Sequence, residues 1–252
     1  MKVSIINAVL NSPEIVRRQI LHYNKMNLSP FVELIIVDDG SIPPLKIMAE
    51  PNFNLKLRKT NNYLPWTQPA ARNYGARCAR GEYIICTDID HIISKEVISV
   101  ACNATADVIR FKRQLAVLDE DGNFTQDWKV LKEWGCTRGK LGIAPHGNSY
   151  IFKRSLYLEL DGVDERYVGT GKYPNREEVP LKRKLKELED KITIIDDSSK
   201  PTIYMFPNGK YCGDKNSNPF GFFHNLSRER NIGRKTNKQR HQERRAKCQT
   251  CQ

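Results

Sequence analysis

Residues 83–91 read YIICTDIDH, four apolar residues running without alternation into two aspartates and a histidine. Tyr83, Ile84, Ile85 and Cys86 have the make-up of a strand buried on both faces. Such a strand delivers Asp88 and Asp90 to the edge of a core, where carboxylates are costly to hold unless something cationic pairs with them. An arginine or a metal must answer them. In an extended chain side chains repeat every second residue, so Asp88 and Asp90 share one side and His91 points to the other. Two converging carboxylates suit a hard divalent cation, Mg²⁺ or Mn²⁺, which also accepts phosphate oxygens. An isolated Asp-x-Asp is common in solvated loops. This one is set apart by its buried strand and by a second acidic pair, Asp38-Asp39, which ends the apolar run VELIIV and precedes Gly40-Ser41.

An aspartate at such a strand-to-loop turn can accept from the ring N–H of a uracil or from ribose hydroxyls; the plain alternative is a loop cap with a glycine turn. Arg72, in PAARNYGAR, carries a forked donor set that could reach a diphosphate, or it makes a surface ion pair. Glu177 and Glu178 open a helical stretch, where acids also favour the helix dipole. His224 lies in FFHNL, as a metal ligand or as a histidine at the edge of the core. Trp66, Trp128 and Trp134 could stack on sugar rings or simply pack in the core.

The elements that must position these groups follow from periodicity. Val3–Ala8 is a strand, Ser12-Pro13 a helix start with Ser12 as N-cap, and the helix runs to about Asn24. Val32–Val37 is the second strand, Leu55–Arg58 a shorter one, and a helix from about Pro69 to Ala79 leads into the strand Tyr83–Thr87. This alternation belongs to an α/β fold with an open, mostly parallel sheet flanked by helices. Right-handed connections gather the strand C-termini at one edge, where such sheets bind ligands. Asp38, Asp39, Asp88 and Asp90 all fall there. In the second half, Asp107–Arg113 and Gln114–Leu118 read as strands, with Asp119–Gly122 the turn after them. His146–Phe152 is a further strand, a helix begins near Arg154, and Glu177–Asp190 is helical with Pro180 in its first turn.

The chain has 252 residues, 39 % of them hydrophobic, which supports one large α/β domain with a real core. The expected division is one domain over 1–226, with halves 1–105 and 106–226, and a basic tail over 227–252. The net charge is +12, and SRERNIGRKTNKQRHQERRAK (227–247) carries most of the excess. Such a tail points to a polyanionic partner, nucleic acid or an anionic membrane surface. No stretch spans a bilayer, and MKVSIINAVLNSPE begins a strand rather than a signal peptide. Seven scattered cysteines, an odd count, fit free thiols in a reducing compartment, so a cytoplasmic location is expected. Cys248-x-x-Cys251 has half of a zinc spacing and no second pair with it.

VSIINAVLNSPE, ELIIVDDGS and ARNYGARCARGEYIICTDID, in this order and spacing, resemble the N-terminal half of family 2 glycosyltransferases with the GT-A fold, from Met1 to about His91. The resemblance implies a nucleotide-sugar donor, most simply a UDP-sugar. It places Asp39 near the base, Asp88 near the ribose and on the metal, and Asp90 on the metal. It also puts Ala8 and Asn11, with Asp38 and Arg72, on the donor side. At Ala8-Val9-Leu10 the family usually carries a threonine and a tyrosine, which leaves the base contact there to backbone atoms.

Gly147–Ser155 resembles the family's strand beside the donor sugar. Leu160-Asp161-Gly162-Val163-Asp164-Glu165 is similar to its GGFDE run. Arg176–Leu181 falls where the family carries Glu-Asp-x-Asp-Leu. Glu178 thereby takes the place of the general base, with Glu177 its neighbour, as an inverting displacement requires. In galactosyltransferase-like relatives a histidine after this helix completes the metal site, which makes His224 the third ligand. The acceptor hydroxyl the resemblance leaves open belongs to a saccharide, a lipid-linked glycan or a hydroxymethylated base in viral DNA.

Two other classes use similar residues. Nucleotidyl or phosphoryl transfer would want a glycine-rich phosphate loop after the first strand, and Asn7–Glu14 contains no glycine. A non-catalytic nucleic-acid-binding protein would want aromatics among its basic residues, and 227–252 has none.

Overall fold

In the computed structural model the described residues are 1–64, 67–134, 136, 139–166, 168–169, 178–197 and 203–206. The unbroken apolar runs become strands buried along their whole length: β1 (Val3–Val9), β2 (Val32–Asp38) and, after β3 (Asn54–Lys59), β4 (Tyr83–Thr87). Alternate residues of each feed two cores. Val3, Ile5 and Val9, with Leu34, Ile36 and Ile85, face one side and pack on α1 (Pro13–Met26). Ile6, Ala8, Ile35, Val37 and Ile84 face the other and pack on α2 (Gln68–Cys78). Gly75 lets that helix approach, because a Cβ there would stand 2.4 Å from Ile6 Cγ2.

Beyond β4 come β5 (His91–Ile93), α3 (Lys95–Cys102), β6 (Val108–Phe111), β7 (Arg113–Leu115), β8 (Val117–Leu118), β9 (Phe124–Thr125) and α4 (Trp128–Glu133). They are followed by β10 (Gly142–Ile143), β11 (Tyr150–Lys153), α5 (Arg154–Glu159), α6 (Val179–Glu187), β12 (Ile194–Asp197) and β13 (Ile203–Met205). The main sheet has the order β12-β6-β11-β4-β1-β2-β3, and a second sheet the order β10-β7-β13-β5. In the main sheet β11 runs antiparallel to both its neighbours, and the other pairings are parallel. This is the mixed, mostly parallel α/β sheet expected.

The register sets the site. Val9 lies opposite Asp38, and Asn7 opposite Thr87, so β1, β2 and β4 end at a common edge. Apolar side chains dominate the cores beneath that edge, and Asp38, Asp39 and Asp90 are buried at it.

Several local expectations change. Ser12 does not cap α1 with its side chain; its hydroxyl donates to Leu10 O at 2.7 Å, and Pro13 opens the helix. The helix runs on to Met26 and closes on Asn27 in the left-handed region, φ +51°. The strand expected over Asp107–Arg113 breaks at Lys112, leaving β6 in the main sheet and β7 in the second. His146–Phe152 is a strand only from Tyr150. Gly147–Ser149 is a 3₁₀ turn, held because His146 and Ser149 cap each other reciprocally. Pro180 does sit in the first turn of α6. Among the described residues no helix is long and apolar enough to cross a membrane.

Candidate active site

The Asp88–His91 segment is a turn rather than an extended strand end. The amide of His91 donates to Asp88 O at 3.1 Å, which brings His91 round beside the carboxylates. Its Nδ1 lies 2.6 Å from Asp90 Oδ1, and ligand atoms of Asp88, Asp90 and His91 all lie within 4.8 Å of one another. The expectation that His91 faces away from the pair is therefore corrected: alternation holds for extended backbone, and this backbone turns. The turn is braced from below. Gln19 Nε2 donates to Ile89 O (2.7 Å) and His91 O (2.9 Å), and Asn7 Nδ2 donates in turn to Gln19 Oε1 (3.0 Å).

Asp88 accepts from three side chains, Gln68 Nε2 at 3.0 Å, Arg72 Nη2 and Asn148 Nδ2. Arg72 is buried, so it is not a surface ion pair. Its guanidinium faces carboxylates on both sides, with Nη1 3.7 Å from Glu178 Oε1. Glu178 is itself buried at the start of α6, and His146 Nδ1 lies 3.8 Å from the same oxygen. Burial pushes the His146 pKa down to about 4; Lys182 and Arg113 act in the same direction, and Glu178 and Asn148 against it. Near neutral pH this imidazole carries no charge.

Asp39 is joined to the same cluster through the start of α2. Thr67 Oγ1 donates to Asp39 Oδ2 at 2.6 Å, and the next residue, Gln68, holds Asp88. The second aspartate of that pair is a donor-side candidate, buried beside Thr67 and Thr60. Asp38 serves the loop instead, its two oxygens accepting from the amides of Ser41 and Leu45 at 2.9 Å each. Asn11 does similar work from the bend after β1. Its amide donates to Ser41 Oγ (2.9 Å) and its Oδ1 accepts from Ile42 N (2.8 Å), with φ +49°. Ala8 is buried in the core cluster beneath α2, consistent with backbone-only contact there.

Asn73, Asn148, Gln68 and His146 were not singled out from the sequence. Asn73 pins the Asp161–Glu165 loop, donating to Val163 O (2.8 Å) and Glu165 Oε1 (2.7 Å) and accepting from Tyr157 OH (2.9 Å) and Val163 N (3.1 Å). The tight approach explains Gly162, at φ +61°, where a Cβ would stand 2.2 Å from Asn73 Oδ1. Trp128 and Trp134 pack against the small core cluster of Leu115, Val117 and Leu131. Glu177, His224, Trp66 and the tail with Cys248 and Cys251 lie outside the described residues.

The donor set fits a divalent cation. Two carboxylates supply hard oxygens, and His91 Nε2 is a buried nitrogen that makes no hydrogen bond.

Residues 4–107 match the sequence family described as glycosyl transferase family 2. This segment, under half of the chain, is similar to that family. Its fold is GT-A. The structure of S. aureus TarS 1-349 superposes with a TM-score of 0.54 at 18 % identity, covering 82 % of this chain and 60 % of that one. The same fragment in complex with UDP-GlcNAc gives 0.54 at 17 % identity, over 84 % and 61 %. In complex with UDP it gives 0.52 at 16 % identity, over 83 % and 62 %. The chain thus spans about 60 % of the length of the fragment it superposes on. Comparison with curated proteins gives no match. The family 2 segment ends just before β6, so it contains Asp39, Arg72, Asp88 and Asp90 but not Glu178.

Proposed function

We propose that this protein is a family 2 glycosyltransferase that transfers a sugar from a UDP-sugar to an acceptor hydroxyl, with inversion, using Glu178 as general base and a divalent cation, Mn²⁺ or Mg²⁺, held by Asp88 and Asp90. One observation carries the reading: Arg72 spans Asp88 and Glu178, so the family segment and the start of α6, well beyond it in sequence, contribute to a single site. His91 joins Asp88 and Asp90 as a ligand candidate; His224 is kept as a second one. TarS is similar in fold and has been solved with UDP-GlcNAc, which supports the uridine donor.

Each residue has a chemical task. Asp39, fixed by Thr67, accepts from the base or ribose of the donor, while Asn11 and Asp38 shape the loop that borders it. Asp88 is held in place by Gln68, Arg72 and Asn148 on the ribose and cation side. A bound cation supplies Lewis-acid neutralisation of the diphosphate that leaves. Glu178 takes the proton of the acceptor hydroxyl as that oxygen bonds the anomeric carbon and the bond from that carbon to the leaving phosphate oxygen breaks. Arg72 is buried against both carboxylates and orients them, instead of reaching for the diphosphate. Neutral His146 borders Glu178 without adding a competing charge.

The test is UDP release from a panel of UDP- and GDP-sugars, with Mn²⁺, with Mg²⁺ and with chelator. Turnover of one UDP-sugar that vanishes on chelation is the expected result. Stabilisation and turnover by no nucleotide sugar, with either cation, would remove the proposal.

A further inference from the structure

A groove of about 700 Å³ runs between α6 and the β6–β12 edge of the main sheet, outside the cluster of acids just described. We propose that it is the acceptor subsite and that its occupant is a saccharide bearing a phosphate ester. The inference rests on the reading of Glu178 as base, and it adds the class of acceptor.

Glu178 does not line the groove, but Lys182, one turn after it on α6, does. Lys182 N donates to Glu178 O at 2.9 Å within the first turn of α6, so Lys182 stands one turn from the carboxylate. Lys182 and Lys186 are spaced i, i+4 and share the face that lines the groove. The basic run of this helix divides by side. Lys184 is spent on Leu160 O and Asp161, and Arg183 faces Glu187. Among the described residues neither Lys182 nor Lys186 has a carboxylate within ion-pair distance. The floor is apolar, with Val108 and Leu185. Glu189 is the one carboxylate in the lining, against Lys182, Lys186 and Arg110, so positive charge is in excess above the apolar floor and complements an anionic ligand whose remainder is weakly polar.

The aromatic content of the groove decides between polyanions. Tyr150 is buried, and the Arg110 guanidinium lies over its ring at 6.0 Å from the centroid. Among the described residues that line the groove no open ring is left for a base to stack on, which is what single-stranded nucleic acid binding relies on. The chain's own tail does not fit either, because 227–247 is itself strongly basic. A sugar phosphate places its anionic oxygens on the lysines and its C–H face on the floor, with a hydroxyl directed toward Glu178.

The experiment uses the full chain and follows amide and methyl NMR shifts as glucose 6-phosphate, glucose or a single-stranded DNA octamer is added. Glucose 6-phosphate is expected to shift Lys182, Leu185 and Lys186. The K182E/K186E variant should weaken its binding by about tenfold or more, the scale of losing charge-assisted contacts. K186A, at an exposed position, serves if the double variant does not fold, and a severalfold loss is expected there. Equal shifts with neutral glucose, unchanged affinity in the variants, or tighter binding of the octamer at the same residues would each overturn the assignment. These readouts need no turnover. Failure of every nucleotide sugar to turn over, alongside lysine-dependent glucose 6-phosphate binding, would count against the donor reading alone.

Discussion

Arg72 places Nη1 3.7 Å from Glu178 Oε1 while Nη2 pairs with Asp88, so one guanidinium joins the acid at the end of β4 to the acid that opens α6. The two carboxylates are 90 residues apart in sequence (178 − 88) and meet only because β11 returns the chain to β4. Arg72 is thus a positioning residue for both halves of the proposed reaction.

Removing that guanidinium takes away the cation that Glu178 and Asp88 share, leaving Asp88 its neutral donors Gln68 and Asn148. R72M is expected to lower stability by about 3 kcal/mol, near the low end for breaking a buried pair because Asp88 is partly open to water. Urea unfolding measures it. R72K should recover only part of the loss, since an ammonium cannot fork to both acids. A variant as stable as the parent would show that the two contacts do not support the fold.

Asp90 is the carboxylate that has His91 as its close partner in the turn. D90N should cut cation-dependent turnover by at least about 100-fold, the upper range for disturbing a metal site, with circular dichroism unchanged. The Mn²⁺ concentration for half-activation is the readout. Parent-like activation would move the cation elsewhere.

Glu178 is assigned to the chemical step rather than to donor binding. E178Q should therefore bind UDP as the parent does and lose about 10²–10⁴-fold in kcat for transfer, the range for a general base. Calorimetry with UDP and initial rates with acceptor separate the two effects. Loss of UDP affinity with kcat intact would reverse the assignment.

His146 gives a pH dependence with a definite sign. Its folded pKa, pushed down to about 4, lies below the usual 6.5 of the unfolded chain, so the native state favours the neutral ring. The stability this contributes is present above about pH 6.5 and is lost as pH falls from there toward 4, because the unfolded chain takes up the proton first. His22, lowered chiefly by burial, adds in the same direction. H146Q should flatten the fall in urea midpoint between about pH 6.5 and 4.5 relative to the parent. An unchanged slope would assign it all to other groups.

Much of the N-terminal half was legible because its signals are local and repeat along the chain. VELIIV and YIIC are continuous apolar runs that only a doubly covered strand tolerates, and their final aspartates had to reach the shared edge. The arrangement of His91 was not legible, because the period-two rule presumes extended backbone and a single turn hydrogen bond cancels it. Asn148 and His146 were hidden within a sequence that reads as strand. The reciprocal pairing of His146 with Ser149, three residues apart, is the one signal that could have marked the turn. Arg72 was found by type but its task was not, because the carboxylate it shares lies in a later helix, and no local pattern encodes such long-range pairing.

The place of β11 has a consequence for dissecting the protein. The family 2 segment ends at 107, yet the strand that covers its β4 comes from Tyr150–Lys153. A fragment cut at the family boundary would present the flank of β4, apolar and with unpaired amides, as a bare edge ready to zip onto another copy. The unit that must be kept whole is set by hydrogen-bonded neighbours in the sheet rather than by the reach of sequence likeness.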